Sequence, residues 1–293
     1  MKLSHLLLTV LLSAAVAFGV VKVAAPTTTS AAKETAFEHV MRTQTIRCVY
    51  ATGKPWLSID PNTKQRSGIM VDVMEEIGKA LSMKIDWSNG EVGWGELSTA
   101  VDSGRGDVIC SAMWASANRA RATTFTRPLF YTPIEIWARA GDTRFDNAPE
   151  RINSPDIRVI VDDGDFNEII AKTDFPKTQR IARPQIAGLE YYFLTLLDKK
   201  ADILFVSSNY VLDFLKERPK TIRKVLMPAP LRVYENVIGT SIQEQKLRNM
   251  IDAAVGDLLS SGAIARILRK YQVDYPDTFF IPATPYMALK QKG

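Results

Sequence analysis

Short apolar runs alternate with helical patterns along the body of this 293-residue chain. This alternation constrains the fold more than any other feature. Residues 46–51 and 203–206 have the length and composition of buried strands. Between such runs, apolar residues recur at helical spacing, as Ile69, Val73 and Ile77 do. The order predicts an α/β protein with mainly parallel sheets flanked by helices.

The N-terminus has the order of a secretory signal. Lys2 precedes an apolar run over residues 6–21, and small residues follow it. We therefore predict a signal peptide with a short linker in residues 1–32, and export of the mature protein to the periplasm. The run is long for a signal, so an uncleaved membrane anchor is the alternative.

Charge and histidine content exclude several classes of function. The chain has 37 Lys and Arg against 32 Asp and Glu, and the charges are interspersed. This mild excess gives no reason to expect nucleic-acid binding. His5 lies in the predicted signal and His39 precedes the first strand, so the body of the protein has no histidine. We therefore expect neither Ser-His-Asp nor Cys-His catalysis, and no metal or other cofactor.

Both cysteines, Cys48 and Cys110, lie in apolar runs that resemble strands. We interpret them as two small buried hydrophobic residues. If their strands are neighbours, a disulfide is the alternative in an oxidising compartment.

Residues 107–131 resemble a site for a small anion. They read as a buried strand, a turn and a short helix opened by Ser116, with Arg119 in the first turn. A helix N-terminus offers unpaired N–H groups, and an arginine can bind a carboxylate through two donors. Open α/β sheets bind ligands at the carboxyl ends of their strands. The alternative is a capped surface helix with a solvated arginine.

Five motifs stand in order along the chain: KPW (54–56), SGIMVDVMEEIGKALSMKIDW (67–87), GWGELSTAVDSGRGDVICSAM (93–113), SANRARATTFTRPLFY (116–131) and KKADILFV (199–206). With these motifs, the chain from Thr45 to about Asp274 resembles the periplasmic amino-acid-type solute-binding proteins (family 3) of ABC importers. The resemblance implies a type II periplasmic-binding-protein fold with two lobes, two hinge strands and a ligand in the cleft between the lobes.

The resemblance also implies domain boundaries. Lobe 1 would contain residues 45–137 and 237–271, and lobe 2 would contain residues 140–233. Residues 272–293 would form a C-terminal tail that packs along lobe 1. We expect a monomer.

Four residues match ligand-binding positions of the family. Arg119 matches the arginine that binds an α-carboxylate, and Ser116 matches the helix-capping hydroxyl. Trp94 matches an aromatic residue that stacks on the ligand, and Trp56 occupies the aromatic position of the first loop. The alternative for each tryptophan is core packing.

Four other positions depart from the family pattern. Ala112 and Trp114 stand where small polar residues help to bind the carboxylate, so the pocket is bulkier. Ser207 replaces the aspartate that binds the amino group of the ligand, which argues against an ordinary α-amino acid. Asp165 stands in the place of the threonine in the usual Gly-Thr turn of the second lobe. It could supply the missing carboxylate, or it could belong to a solvated acidic turn.

We therefore predict a protein without catalytic activity. It would capture a small carboxylate-bearing ligand, amino-acid-like or a related organic acid, by lobe closure. It would deliver this ligand to the membrane permease of an ABC importer, or report it to a membrane receptor. The alternative is an enzyme similar to periplasmic cyclohexadienyl or arogenate dehydratases, with Glu168 as general acid.

Overall fold

The computed structural model describes residues 34–88, 90–163, 165–183 and 188–282. The predicted signal peptide and linker, residues 1–32, lie outside the described residues. Whether the chain has a cleaved signal or an anchor therefore stays a prediction.

Twelve strands lie in the described residues, and they include every strand predicted from the apolar runs. The strands are β1 (Thr45–Val49), β2 (Ser58–Ile59), β3 (Arg66–Ser67), β4 (Lys84–Asp86), β5 (Val108–Trp114), β6 (Thr123–Phe125), β7 (Phe130–Arg139), β8 (Arg158–Val161), β9 (Gln179–Ala182), β10 (Ile203–Val206), β11 (Ile222–Lys224) and β12 (Arg232–Ser241). In the central strands β5, β7 and β10, nearly continuous burial of the side chains explains their positions.

Eight α-helices lie in the same residues, and six of them correspond to apolar patterns predicted to be helical, at residues 69–81, 97–101, 169–170, 189–197, 247–258 and 264–268. No helix of the described residues is both long enough and apolar enough to cross a membrane. The helices are α1 (Ala36–Thr43), α2 (Ile69–Leu81), α3 (Leu97–Asp102), α4 (Phe166–Asp174), α5 (Glu190–Leu197), α6 (Ser208–Glu217), α7 (Gln245–Ser260) and α8 (Ala263–Gln272).

The main sheet is parallel at both flanks and antiparallel in its centre. Its order is β4-β1-β5-β12-β7-β10-β8-β9. The pairs β4–β1, β1–β5, β10–β8 and β8–β9 are parallel. The long strands β12 and β7 run antiparallel between the flanks, and β7 pairs with β12 in its first half and with β10 in its second. This is the predicted arrangement of two mainly parallel sheets joined by two strands.

The hydrophobic core divides in the same way. One cluster packs α2, α7 and α8 against β1 and β5, and it includes Met74 and Ile251. Another surrounds β8 and β10 and includes Val159 and Phe205. Because the residues from Ala36 onward nevertheless form one compact unit, the residue boundaries of the two lobes stay a prediction.

The tail packs against the first of these clusters as far as it is described. Phe279 is buried, and its ring contacts Trp56 and Phe130. Phe280 forms a bridge to Tyr131 of β7. Residues 283–293 lie outside the described residues.

The two cysteines form a disulfide, so our interpretation of them as separate hydrophobic residues is wrong. Cys48 lies on β1 and Cys110 on β5, and their Cα atoms are 5.4 Å apart. The parallel pairing of β1 with β5 places the two residues on adjacent strands. Both side chains are buried, so the disulfide lies inside the core.

A glycine ties the loop of Trp56 to the start of α2. Gly68 has a φ of 130°, and a Cβ at this position would lie 2.5 Å from the carbonyl oxygen of Trp56. Only glycine fits this conformation and this spacing. The close approach lets the N–H groups of Ile69 and Met70 donate to the carbonyls of Pro55 and Trp56. The Trp56 loop is therefore held by the helix N-terminus.

Candidate functional site

A cavity of about 390 Å³ opens where the carboxyl ends of the parallel strands converge. Its walls come from the segments that follow β1, β4, β5, β8, β9 and β10, as the chain order of the lining residues shows. Open α/β sheets bind ligands at such edges. The lining residues are Thr52, Gly53, Trp56, Trp94, Ala112, Trp114, Arg119, Asp162, Asp165, Phe166, Asn167, Arg183, Gly188, Leu189, Tyr192, Val206 and Tyr210.

The three predicted tryptophans all line this cavity. Trp56 is buried and stacks on Phe130, with the ring centroids 5.3 Å apart. Trp114 stacks on Tyr234 at 4.9 Å. Trp94 is 36% exposed, and its Nε1 donates to the carbonyl of Thr52 at 3.2 Å. Trp56 therefore serves both the core and the cavity, whereas Trp94 belongs mainly to the cavity.

Arg119 lies in the cavity wall, but the predicted helix around it is wrong. The segment forms a single 3-10 turn, Arg119–Arg121, which is too short to provide a helix N-terminus. Ser116 does not line the cavity; its Oγ accepts the Arg119 N–H at 3.3 Å. The Arg119 side chain is positioned instead by its Nη1, which donates to the Trp114 carbonyl at 2.9 Å.

Arg119 keeps donors for a ligand. Among the described residues, its Nε and Nη2 have no hydrogen-bond partner, although a guanidinium has five N–H donors. Burial lowers the pKa of Arg119, while the negative charge of Asp165 raises it. Arginine remains protonated under such shifts. The cavity therefore contains a partly buried positive charge with open donors.

Asp165 faces the same cavity from the other flank of the sheet. Its Oδ1 accepts the Phe166 N–H at 2.8 Å, so the residue caps α4. Although part of Asp165 is exposed to solvent, the cavity walls desolvate its carboxyl and raise its pKa. The hydrogen bond from Phe166 and the charge of Arg119 oppose this increase. Its neighbour Gly164 lies outside the described residues.

A polar network that sequence reasoning missed forms one wall of the cavity. The guanidinium of Arg183 binds both oxygens of Asp162, at 2.5 and 3.0 Å, and lies 4.8 Å above the Tyr192 ring. Tyr192 donates its hydroxyl to Asp162 and accepts a hydrogen bond from Asn167 at 2.9 Å. Burial and the nearby Asp162 carboxylate raise the pKa of Tyr192. The parallel pairing of β8 with β9 brings Asp162 and Arg183 together, whereas Asn167 and Tyr192 come from α4 and α5.

Ala112 lines the cavity, whereas Ser207 does not. Ser207 is fully buried, and its hydroxyl donates to Asn209 Oδ1 at 2.5 Å. Asn209 in turn donates to the carbonyl of Lys54 at 3.0 Å, which connects α6 with the loop after β1. Tyr210, the residue after Asn209, lines the cavity. Burial raises the pKa of Tyr210 to about 12, and the charge of Asp165 adds to this increase.

Glu168, the general acid of the alternative enzyme hypothesis, lies outside the cavity lining. It is on α4, where its carboxylate forms an ion pair with Lys172 at 2.7 Å. Spacing of i and i+4 on a helix explains this pair. The described residues contain no group of His, Cys, Asp and Glu that could hold a metal ion.

Comparisons with known proteins agree with this architecture. An ancestral amino-acid-binding protein, described as a precursor of cyclohexadienyl dehydratase, superposes with a TM-score of 0.67 at 19% identity, covering 81% of this chain and 99% of its own. A histidine kinase sensor domain with similarity to periplasmic binding proteins gives 0.66 at 19% identity, covering 83% and 100%. The L-cystine solute receptor of Neisseria gonorrhoeae gives 0.58 at 16% identity, covering 81% and 97%.

At these identities, structural similarity shows the fold alone. No curated protein sequence matches the chain. The sequence model of one family, however, matches residues 46–274, which is most of the chain. The protein therefore belongs to the bacterial extracellular solute-binding proteins, family 3.

Proposed function

We propose that this protein captures a small carboxylate-bearing ligand in the cavity and delivers it to the permease of an ABC importer. One observation carries the proposal: the open donors of Arg119 lie in the same cavity as the three tryptophans. Charge-assisted hydrogen bonds from a partly buried guanidinium are a strong way to hold a carboxylate. The aromatic rings would hold the apolar body of the ligand.

Lobe closure would follow from the origin of the walls. Arg119 and the tryptophans follow strands of one flank, whereas Asp165 and Tyr210 follow strands of the other. A ligand that contacts both flanks stabilises the closed arrangement, because only that arrangement makes all the contacts.

Action outside the cytoplasm is supported by the family and by the disulfide. Family 3 proteins are extracellular solute-binding proteins, and disulfides persist in oxidising compartments. We propose the periplasm as the location. The partner could instead be a membrane receptor, since a histidine kinase sensor domain has a similar fold. Cross-linking in intact cells, followed by identification of the membrane partner, distinguishes the two.

Ligand capture can be tested by thermal shift and isothermal titration. Zwitterionic amino acids and organic acids are compared with the matching amides and alcohols, which lack the carboxylate. We expect stabilisation only by carboxylates. Arg119→Ala should weaken binding about 10- to 100-fold, because charge-assisted hydrogen bonds contribute about 1.5–3 kcal/mol.

Arg121→Ala is the matched control, because Arg121 belongs to the same 3-10 turn but is exposed and does not line the cavity. We expect it to bind like the wild type. Equal affinity of the Arg119→Ala variant and the wild type would contradict the proposal, as would a ligand set without carboxylates.

The dehydratase-like alternative has a separate test. Incubation with prephenate or arogenate should give no aromatic product if the protein only binds its ligand. Product that disappears in a Glu168→Gln variant would establish the enzyme instead. The ion pair of Glu168 with Lys172 and its place outside the cavity lining favour the binding protein.

A further inference from the structure

Six of the 17 residues that line the cavity are aromatic. Two of the rings come from segments after β1 and β4, one from the end of β5, and three from α4, α5 and α6, so they surround the space instead of forming one stripe. Rings at this density attract cations through their negative faces. The six aromatic residues in the lining are Trp56, Trp94, Trp114, Phe166, Tyr192 and Tyr210.

Two of these rings are not engaged by other rings or cations of the described residues. Trp56 stacks on a core phenylalanine, Trp114 stacks on a tyrosine, and Tyr192 carries a guanidinium on its face. Trp94 and Tyr210 have no such contact among the described residues. The hydrogen bond from Trp94 to the Thr52 carbonyl holds its ring in place.

The negative charge for a cation lies in the same cavity as these rings. Two acids line the cavity, and Asp162 is neutralised by its ion pair with Arg183. Asp165 has no ion pair among the described residues, and its charge is strong enough at Tyr210 to contribute to the raised pKa of that phenol. A ligand cation beside Asp165 would therefore share the cavity with the two unengaged rings of Trp94 and Tyr210.

Apart from the Asp165 carboxylate and the Tyr210 hydroxyl, hydrogen-bond acceptors are scarce in the described part of the cavity. The carbonyls of Thr52, Trp114 and Val206 already accept side-chain N–H groups. Both oxygens of Asp162 are occupied, and Asn167 Oδ1 accepts the Asp162 N–H. A primary ammonium has three N–H donors and a guanidinium has five, so either would lose hydrogen bonds on leaving water.

We propose that the ligand carries an N-alkylated ammonium group, held by Asp165 and the faces of Trp94 and Tyr210, in addition to the carboxylate bound by Arg119. The inference rests on the proposed function and specifies its ligand class as betaine-like. An alkylated ammonium has few or no N–H groups to satisfy. Its methyl groups contact the rings while its charge is balanced by Asp165.

Matched ligands test the proposal by isothermal titration. Trimethylglycine is compared with glycine and with 3,3-dimethylbutanoate, which has the same shape but no positive charge. N,N,N-trimethylphenylalanine is compared with phenylalanine, so that a larger body is also sampled, and arginine represents guanidinium ligands. We expect at least one trimethylated compound to bind about tenfold or more tightly than its partners.

Variants locate the effect. Trp94→Leu should lower the affinity for the trimethylated compound about tenfold and that for the neutral isostere by less, because only the cation loses the attraction of the ring face. Asp165→Asn should also remove the preference, and asparagine still caps α4. Tyr191→Leu is the control, because Tyr191 is an equally exposed aromatic residue of α5 outside the cavity lining.

The outcomes separate this inference from the proposed function. If glycine, phenylalanine or arginine bound more tightly than the trimethylated compounds, and this binding depended on Arg119, the proposed alkylated ammonium group would be overturned. The proposal of carboxylate capture would be left intact. Equal binding of trimethylglycine and its neutral isostere would have the same consequences. No binding of any carboxylate would overturn both.

Discussion

The disulfide between Cys48 and Cys110 should contribute a large part of the stability of this protein. It joins two residues separated by 62 positions, so it closes a long loop in the unfolded chain. The chain-entropy model gives about 4 kcal/mol at 25 °C for a loop of this length. For a domain of this size, such a loss lowers the melting temperature by about 8–16 °C.

Denaturant unfolding measures this contribution. Both sulfurs are buried, so the protein has to be unfolded with a reductant and refolded under reducing conditions. The unfolding free energy of this reduced protein is compared with that of the oxidised protein. We expect the loss of unfolding free energy on reduction to equal the loss in a Cys48→Ala, Cys110→Ala double variant, apart from the effect of the two substitutions on packing.

Single variants serve as controls. Cys48→Ala and Cys110→Ala each remove the whole cross-link, so each should lose nearly as much as the double variant. The reasoning would be refuted if the reduced and oxidised proteins unfolded at the same denaturant midpoint. The disulfide would then not stabilise the protein by restricting its unfolded chain.

Three further predictions concern the cavity and its supports. In urea unfolding, Trp56→Ala should lower the free energy of unfolding by about 3–5 kcal/mol because the side chain is 3% exposed. Trp94→Ala should lower it by less than about 1 kcal/mol, and similar losses in the two variants would contradict the different burial of the two side chains. Asp202→Ala should lower the free energy of unfolding by about 3–5 kcal/mol in the same assay, because the buried carboxylate of Asp202 pairs with three arginines. Asp198 is exposed, so Asp198→Ala should change the free energy of unfolding by no more than about 0.5 kcal/mol. Affinity for a cationic ligand should fall as the pH decreases through the raised pKa of Asp165, because protonation removes the charge of its carboxylate. In titration calorimetry, the affinity should begin to fall at a pH above the ordinary aspartate pKa of about 3.9. The Asp165→Asn variant should show no such decrease in affinity.

Much of the cavity could be predicted because strand ends are visible in a sequence. Trp56, Trp94 and Trp114 follow or end apolar runs, and the carboxyl ends of parallel strands meet at one edge. Arg119 and Asp165 follow the same logic. The resemblance to a known family indicated that these five residues stand at or near ligand-binding positions, and all five line the cavity.

Other parts of the site depend on contacts that no local pattern shows. Arg183 and Tyr192 lie far along the chain from Asp162, yet the pairing of β8 with β9 places Arg183 next to it. The helix predicted at Ser116 is a 3-10 turn, in which Arg119 bonds the Trp114 carbonyl. A capping residue followed by an arginine is compatible with either conformation.

Periodicity alone established the strands of the longer apolar runs, six of the eight helices in the described residues and the order in which these elements alternate, because a residue's burial depends mainly on the face of its own element. It could not establish which elements are neighbours. The placement of β1 next to β5 turned two cysteines into a disulfide, and the placement of β9 next to β8 turned an acid and an arginine into an ion pair. Such pairings depend on the free energy of the whole packed chain, so only the folded protein reveals them.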